Sequence, residues 1–213
     1  MDLTYYRPGK GEREERSRWK KHLLKICSNP CLFVFLKKIL KKVYGLNNSI
    51  SISPGFYSDT IFLETGRSSS LANLYIHGLG DVRIGSKVSF SFNCEIITGS
   101  HDLKDFGKVY LKPTIIEDYA CIFRGAKILH DVRIGRGAYV GADSLVRCSI
   151  PPYSIVIGNP CKVVGFRFTP DEAVAFEKEH FPEEQRIDIE ILKNNYQKYY
   201  LKRLREIRDF CGI

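Results

Sequence analysis

The chain has 213 residues, of which 44% are hydrophobic and 27% are charged, and its formal net charge is +9. These values are ordinary for a soluble globular protein with one good-sized core. No apolar run reaches the roughly 20 residues needed to span a bilayer, and the amino terminus is too polar for a signal peptide, so we expect a cytoplasmic protein.

The seven cysteines are scattered along the chain, without a CxxC pair or a neighbouring histidine. An odd and dispersed set of this kind indicates neither a disulfide framework nor a zinc site. We therefore expect reduced thiols with structural roles and no bound metal.

The first predicted element is a basic helical extension at residues 1–49. Residues 7–44 hold twelve Lys or Arg against three Glu, a net charge equal to that of the whole chain. Asn29-Pro30 breaks or starts a helix, and residues 31–44 combine an apolar face with paired lysines.

This basic extension has several possible uses. Its apolar face can cap the end of a neighbouring core while the lysines face water. The same segment can lie on an anionic membrane, as a peripheral contact, or bring the protein to an acidic glycan. We expect no nucleic-acid binding, because no recognition motif accompanies the basic residues.

A six-residue period dominates the middle of the chain. A bulky apolar residue recurs at each period, and a smaller residue precedes it by two positions. The bulky residues are Ile84, Phe90, Ile96, Ile116, Ile122, Ile128, Ile134, Val140 and Val146, and the smaller ones are Val82, Val88, Cys94, Thr114, Ala120, Ala126, Val132, Ala138 and Ser144. Six is a multiple of two, so both positions lie on one face of a strand.

A fixed short period is typical of a solenoid that buries its core by stacking. We therefore predict a parallel β-helix over residues 50–168. Gly85, Ser91, Gly135 and Gly141 follow bulky residues, and we interpret them as corners that need a permissive backbone.

The period is interrupted once, between Ile96 and Ile116, where we predict an extruded loop at about residues 99–112. Such a loop buries little core, so its presence favours a functional role. His101 lies at its root, and an imidazole there is suited to take a proton from a hydroxyl or amine near neutral pH. Asp102 or Asp105 could orient it.

Residues 169–213 are predicted to be helical. Thr169, Pro170 and Glu172 match a capping box with proline at the first helical position. We predict one helix to about residue 179 and a longer one at about residues 183–208, with an apolar stripe that covers the coil or a neighbouring subunit.

Three features together carry a resemblance to a known family. They are the six-residue repeat, the loop that begins Ser-His-Asp, and the closing segment 150–164, which reads Ile-Pro-Pro-Tyr-Ser-Ile-Val-Ile-Gly-Asn-Pro-Cys-Lys-Val-Val. Over residues 70–166 the chain resembles the left-handed parallel β-helix acetyltransferases with hexapeptide repeats. The resemblance implies a left-handed coil, acetyl-CoA as co-substrate, no metal, and a homotrimer with active sites between subunits.

The resemblance also implies an activity. The carboxy-terminal extension is similar to that of transferases of bacterial surface-polysaccharide pathways, so we expect a carbohydrate acceptor, acetylated on a sugar hydroxyl of a glycan or its precursor. His101 would be the general base of a direct transfer. The alternatives are N-acetylation of an amino or nucleotide sugar, acetylation of an antibiotic, and a non-catalytic β-helix scaffold.

The resemblance carries site residues over to matching positions. The residues expected to contact CoA are Arg124, Gly125, Ala126, Gly141, Ala142, Arg147 and Lys162, and those expected to contact the acceptor are Asn93 and Asp102. Ala126 also fills an inward position of the repeat, and Asn93 could equally satisfy a coil turn. Cys121, Phe123, Cys148 and Gly165 depart from the family pattern, and Arg167 could replace the basic residue missing at 165.

Overall fold

The computed structural model describes residues 29–60, 62–105 and 107–212, together with His22 and the backbone of Thr4–Tyr6. The strands are β1 (Thr4–Tyr6), β2 (Tyr57–Ser58), β3 (Leu63–Thr65), β4 (Tyr75–His77), β5 (Val82–Ile84), β6 (Ser89–Phe90), β7 (Glu95–Ile97), β8 (Gly99–His101), β9 (Val109–Leu111), β10 (Thr114–Ile116), β11 (Cys121–Ile122), β12 (Lys127–Leu129), β13 (Arg133–Ile134), β14 (Tyr139–Val140), β15 (Leu145–Val146), β16 (Ser154–Ile157) and β17 (Lys162–Phe166). The helices are α1 (Pro30–Val43), α2 (Pro170–His180), α3 (Ile189–Tyr199) and α4 (Leu204–Cys211). Most of the predicted basic extension before residue 29 lies outside the described residues.

Three parallel sheets form the body of the molecule, and the chain visits them in turn. The first sheet has the order β13-β10-β5-β3, the second β16-β14-β11-β6 and the third β15-β12-β7-β4-β2, while β17 joins β16 in antiparallel orientation. Ile116 pairs with Ile134 in the first sheet, so equivalent positions of successive coils lie on top of one another. The predicted parallel β-helix is therefore confirmed.

The core of the coil contains the residues that define the period. All nine bulky residues and all nine smaller ones are buried. Two of the smaller residues are polar: the Thr114 hydroxyl lies 3.4 Å from the Leu129 carbonyl oxygen, and the Ser144 hydroxyl accepts from the Gly158 N–H at 3.1 Å. The polar members are thus hydrogen-bonded inside the coil, as buried polar groups must be.

The corners of the coil differ from the prediction. Left-handed backbone occurs at the residue just before the smaller core residue, for example at Lys87 (φ 56°) and Tyr119 (φ 60°). Gly85 and Gly135 are not in that region. A Cβ at Gly135 would lie 2.5 Å from the backbone nitrogen of Pro152, and one at Gly85 would lie 2.6 Å from that of Asp118. The interpretation of these glycines as permissive corners was wrong; they let successive coils approach closely.

The interruption of the period is a β-hairpin rather than an irregular loop. Strands β8 and β9 pair antiparallel, with Gly99 opposite Leu111 and His101 opposite Val109. Strand β1 pairs antiparallel with the other edge of β9, so a piece of the predicted helical extension is a strand beside this hairpin. The hairpin is therefore part of a three-stranded antiparallel sheet.

Helix α1 closes the amino-terminal end of the coil. Its N-cap residue, Asn29, accepts a hydrogen bond from the Cys31 N–H at 3.0 Å through its side chain, and Pro30 follows at the first helical position, as predicted. Phe33 and Leu40 are buried in the same core cluster as the coil residues, and Tyr44 packs edge-on against Phe56 at 5.2 Å. The predicted capping role of this segment is confirmed.

The first carboxy-terminal helix ends where predicted, and the second is divided. The Thr169 capping box at the start of α2 is confirmed, but the single helix predicted at residues 183–208 is wrong. The Asp188 side chain caps α3 by accepting from the Glu190 N–H at 2.7 Å, and the backbone of Tyr200 leaves helical geometry (φ −122°, ψ −69°) before α4. None of the described helices combines the length and apolar character needed to cross a membrane.

Candidate active site

His101 ends strand β8, and its side chain is exposed. The root of its hairpin is fixed to the coil through the buried residue Thr98. The Thr98 N–H donates to the His77 carbonyl oxygen at 2.9 Å, and the Thr98 hydroxyl accepts from the Gly80 N–H at 2.9 Å. The imidazole is therefore exposed to solvent on a hairpin whose first residues are hydrogen-bonded to the coil.

The two carboxylates near His101 shape the tip of the hairpin. Asp102 accepts from the N–H groups of Lys104 (2.7 Å) and Asp105 (2.9 Å) and from the hydroxyl of Tyr110. The Tyr110 hydrogen bond, followed by those from the backbone, lowers the pKa of the Asp102 carboxyl. Asp105 accepts from the Gly107 N–H at 3.0 Å. Asp102 thus caps the hairpin turn, and its contact with the acceptor stays a prediction.

The turns between the second and third sheets stack into one line, which we call the corner column. The Asn93 N–H donates to the Asn73 side chain at 2.7 Å, and the Asp143 N–H donates to the Arg124 carbonyl oxygen at 2.8 Å. The Gly125 N–H extends the line by donating to the Phe92 carbonyl oxygen at 3.1 Å. Successive coils thereby align their corners.

Most of the predicted CoA-contacting residues lie on the corner column. They are Arg124, Gly125, Gly141, Ala142 and, where β17 pairs with the last coil, Lys162. Asn93, predicted to contact the acceptor, lies on the same column. Asn93 has left-handed backbone (φ 61°), and its side chain accepts a hydrogen bond from the Asn73 side chain at 2.9 Å. These features match the other role considered for Asn93, that of stabilising a coil turn.

A side chain at either of two glycines in the column would force a neighbouring side chain to move. Gly125 has φ 74°, and a Cβ there would collide with the Asp143 carboxylate. A Cβ at Gly141 would lie 2.6 Å from Cγ2 of Ile157. Arg124 and Ala142 are exposed. The column therefore presents backbone and the small side chain of Ala142 to solvent, beside the Arg124 guanidinium and the exposed rings of Phe92 and Phe123.

Two predicted CoA contacts are separated from the column. Ala126 is fully buried, so its side chain belongs to the core. Arg147 follows β15, whose register with β12 makes it equivalent to Leu129. Arg147 therefore lies at the carboxyl ends of the strands of the third sheet, where the hairpin leaves the coil. The corner column lies at the amino ends of the same strands. The position equivalent to Arg124 one coil later is taken by Ala142 rather than by Arg147.

The structure adds a residue that the sequence did not single out. Nζ of Lys162 lies 5.1 Å from the ring centre of Phe210 in α4. No local pattern indicates this contact, because the two residues are brought together only by the folding of the carboxy-terminal helices. Arg167, considered as a second cation for phosphate, donates to the Gly137 carbonyl oxygen at 2.9 Å and stacks on Tyr139.

The site has no metal-binding character in the described part of the chain. No three side chains of His, Cys, Asp or Glu among those residues are placed to share a metal ion. The chemistry available is that of an imidazole on a hairpin and of a column of backbone amides with cations beside it.

Known proteins share this architecture. The chain is 32% identical over 135 residues to a galactoside O-acetyltransferase of Lactococcus lactis, covering 59% of this chain and 65% of the relative. It is 41% identical over 133 residues to a serine acetyltransferase of Bacillus licheniformis, covering 61% and 55%. A solved galactoside acetyltransferase in complex with coenzyme A superposes with a TM-score of 0.59 at 21% identity, covering 84% of this chain and 91% of that one.

The similarity to the curated relatives is partial. The matched region spans less than two thirds of the length of both relatives, and no protein-family model matches the chain. The chain is thus similar in sequence to galactoside and serine acetyltransferases and similar in fold to a galactoside acetyltransferase.

Proposed function

We propose that this protein is an acetyl-CoA-dependent O-acetyltransferase that modifies a sugar hydroxyl of a glycan or surface-polysaccharide precursor. The observation that carries the proposal is an exposed histidine on a hairpin anchored to a rigid coil whose corner column ends at Lys162. The sugar acceptor is supported by the similarity to a galactoside O-acetyltransferase. We further propose that the coil is left-handed, as in the family it resembles.

His101 acts as the general base in this proposal. The imidazole takes the proton of the acceptor hydroxyl, and the oxygen then attacks the thioester carbonyl carbon. A backbone N–H stabilises the oxyanion of the tetrahedral intermediate. When the carbon–sulfur bond breaks, the imidazolium returns its proton to the departing CoA sulfur. The products are the acetyl ester and free CoA, and the imidazole is left neutral for the next turnover.

The corner column binds the acetyl donor in this proposal. Its small residues, Gly125, Gly141 and Ala142, leave space for an extended pantetheine arm to lie against the backbone. Arg124 and Lys162 are exposed cations, which suit the phosphates of the nucleotide end. These residues hold and orient the donor, while His101 moves the proton.

The active unit is proposed to be a homotrimer in the cytoplasm, with peripheral contact to the inner face of the membrane. The hairpin with His101 and the corner column lie at opposite ends of the strands of the third sheet. In an oligomer, the hairpin of one subunit could therefore meet the corner column of its neighbour. The sugar substrate of a surface-polysaccharide pathway is the reason for a location near the membrane.

The proposal is tested by acetyl-CoA turnover with a panel of acceptors: neutral sugars, amino sugars, serine and antibiotics. We expect His101→Ala to reduce turnover by about 10²–10⁴-fold, because general-base catalysis contributes that much, while CoA binding measured by calorimetry is unchanged. His22→Ala, a substitution at an exposed histidine outside the coil, serves as the control and should keep full activity.

Other outcomes separate the alternatives. Preferred transfer to an amino sugar, serine or an antibiotic would contradict O-acetylation of a glycan while keeping the enzyme class. Failure of the wild-type chain to bind CoA would contradict an acetyltransferase and favour the scaffold.

A further inference from the structure

Helix α1 carries two apolar faces, and only one of them is buried. Phe33 and Leu40 face the coil, with 5% and 2% of their surface exposed. A second set of large apolar side chains on the same helix faces solvent. Its members, which we call the outer stripe, are Leu32 (46% exposed), Phe35 (80%), Ile39 (54%) and Val43 (40%).

The spacing of the outer stripe shows that it is continuous. Its members follow one another at intervals of three and four residues, so they lie along one side of the helix over its whole length. Capping the coil accounts for the buried face and leaves the outer stripe unexplained. Single exposed apolar residues are common, but a contiguous row of this kind marks an interaction surface.

Charge indicates the nature of the partner. Lys38 and Lys42 are exposed and follow Phe35 and Ile39 by three residues, so they line one border of the outer stripe. Helix α1 contains no acidic residue. A symmetric contact between two copies through the stripe would bring their lysines together, whereas a surface of anionic lipid would neutralise them.

We propose that α1 lies in the plane of an anionic membrane surface, with the outer stripe inserted at the boundary between headgroups and acyl chains. A 14-residue helix is too short to cross a bilayer, but an in-plane helix needs only one apolar face and basic flanks. The inference rests on the proposed membrane-side location and is independent of acetyl transfer. It places the coil against the membrane through its amino-terminal cap.

The test is co-sedimentation of the full chain with vesicles of phosphatidylcholine, with and without phosphatidylglycerol. We expect binding to the anionic vesicles that weakens as salt is added. Ile39→Asp should reduce binding by roughly tenfold or more, because a charge then enters the apolar stripe. The matched control is Ile191→Asp in α3, since the two isoleucines are 54% and 52% exposed; it should bind like wild type.

Two further variants separate the electrostatic attraction to the lipid headgroups from the insertion of apolar side chains. Lys38→Gln with Lys42→Gln should reduce binding to anionic vesicles by roughly tenfold and flatten its salt dependence. Phe35→Ser, at the most exposed position of the stripe, should weaken binding without unfolding the chain, which guards against misfolding of Ile39→Asp.

Two results would overturn the inference. One is wild-type protein that stays in the supernatant; if Ile39→Asp then lowers the melting temperature or the oligomeric mass, the stripe packs against protein instead. The other is equal binding of wild type, Ile39→Asp and Phe35→Ser. Acetyl-CoA turnover measured without vesicles reports only on the proposed chemistry, so failure of either proposal is recognised separately.

Discussion

Individual glycines of the repeat are required by the distance between coils. At Gly135 the nearest atoms to an added Cβ belong to the backbone of Pro152 and Ile150, at 2.5 and 2.8 Å. Backbone of the next coil cannot rotate away as a side chain can, so any larger residue must push the coils apart. Gly165 in β17 has ordinary space around it, since the nearest atom to an added Cβ is 3.9 Å away.

We therefore predict that Gly135→Ala lowers the free energy of unfolding by about 1–3 kcal/mol, the usual cost of overpacking a tight site. Gly165→Ala, the matched control, should change it by less than about 0.5 kcal/mol. Urea unfolding followed by circular dichroism measures both. Equal stabilities for the two variants would contradict the view that coil spacing determines the need for glycine at 135.

At the scale of elements, a buried charged group attaches α2 to the coil. Glu177 is 1% exposed and accepts from the Tyr153 hydroxyl, the Arg136 guanidinium and, at 3.2 Å, the Ile187 N–H. Burial and the hydrogen bond to Glu177 raise the pKa of Tyr153, so its hydroxyl remains a donor. The guanidinium of Arg136 also lies 3.7 Å from the ring centre of Phe181.

Neutralising the Glu177 carboxylate should weaken the attachment of α2 to the coil. We predict that Glu177→Gln costs about 3 kcal/mol of folding free energy, because it leaves the mostly buried Arg136 without its charged partner. Glu179→Gln, two residues away with a side chain 76% exposed, is the control and should cost less than about 0.5 kcal/mol. Thermal unfolding compares them; a Glu177→Gln chain as stable as its control would show that the ion pair contributes nothing net.

The sequence predicts the starts of helices better than their interruptions. The caps at Asn29 and Thr169 use side chains within three residues of the groups they satisfy, so the pattern is local. The break at Tyr200 has no glycine or proline to announce it. Likewise, the apolar residues of α1 predict a helix that caps the coil, but not that half of them remain exposed, since that depends on which face meets the core.

For the whole molecule, the sequence predicts the coil because every strand repeats the same local pattern. The candidate site needs more, since its parts meet through register. The pairing of β12 with β15 moves Arg147 away from the corner column, and the pairing of β1 with β9 adds a strand beside the hairpin. The first relation is visible in residue spacing, because Arg124 follows the bulky residue Ile122 by two positions and Arg147 follows Val146 by one; the pairing of β1 with β9 is not. His101 and the column are separated by the third sheet, whose strands of two or three residues span roughly 7–10 Å.

This separation leads to a prediction about assembly. If each site takes His101 from one subunit and the corner column from the next, two inactive chains can complement each other. His101→Ala removes the base, and Ala142→Trp, at an exposed position of the column, blocks the groove. Co-expressed with different tags and purified as mixed trimers, they should recover about one intact site in three, because every mixed ring has one junction at which an intact His101 meets an intact column.

The control is a mixture of His101→Ala with the double variant His101→Ala/Ala142→Trp, which contains no intact histidine and should stay inactive. Turnover of acetyl-CoA with the best acceptor measures each mixture. Activity in the first mixture alone requires that groups from two chains meet at one site. Inactive mixed oligomers would mean instead that the hairpin folds back over the third sheet of its own chain, so that each subunit carries a complete site.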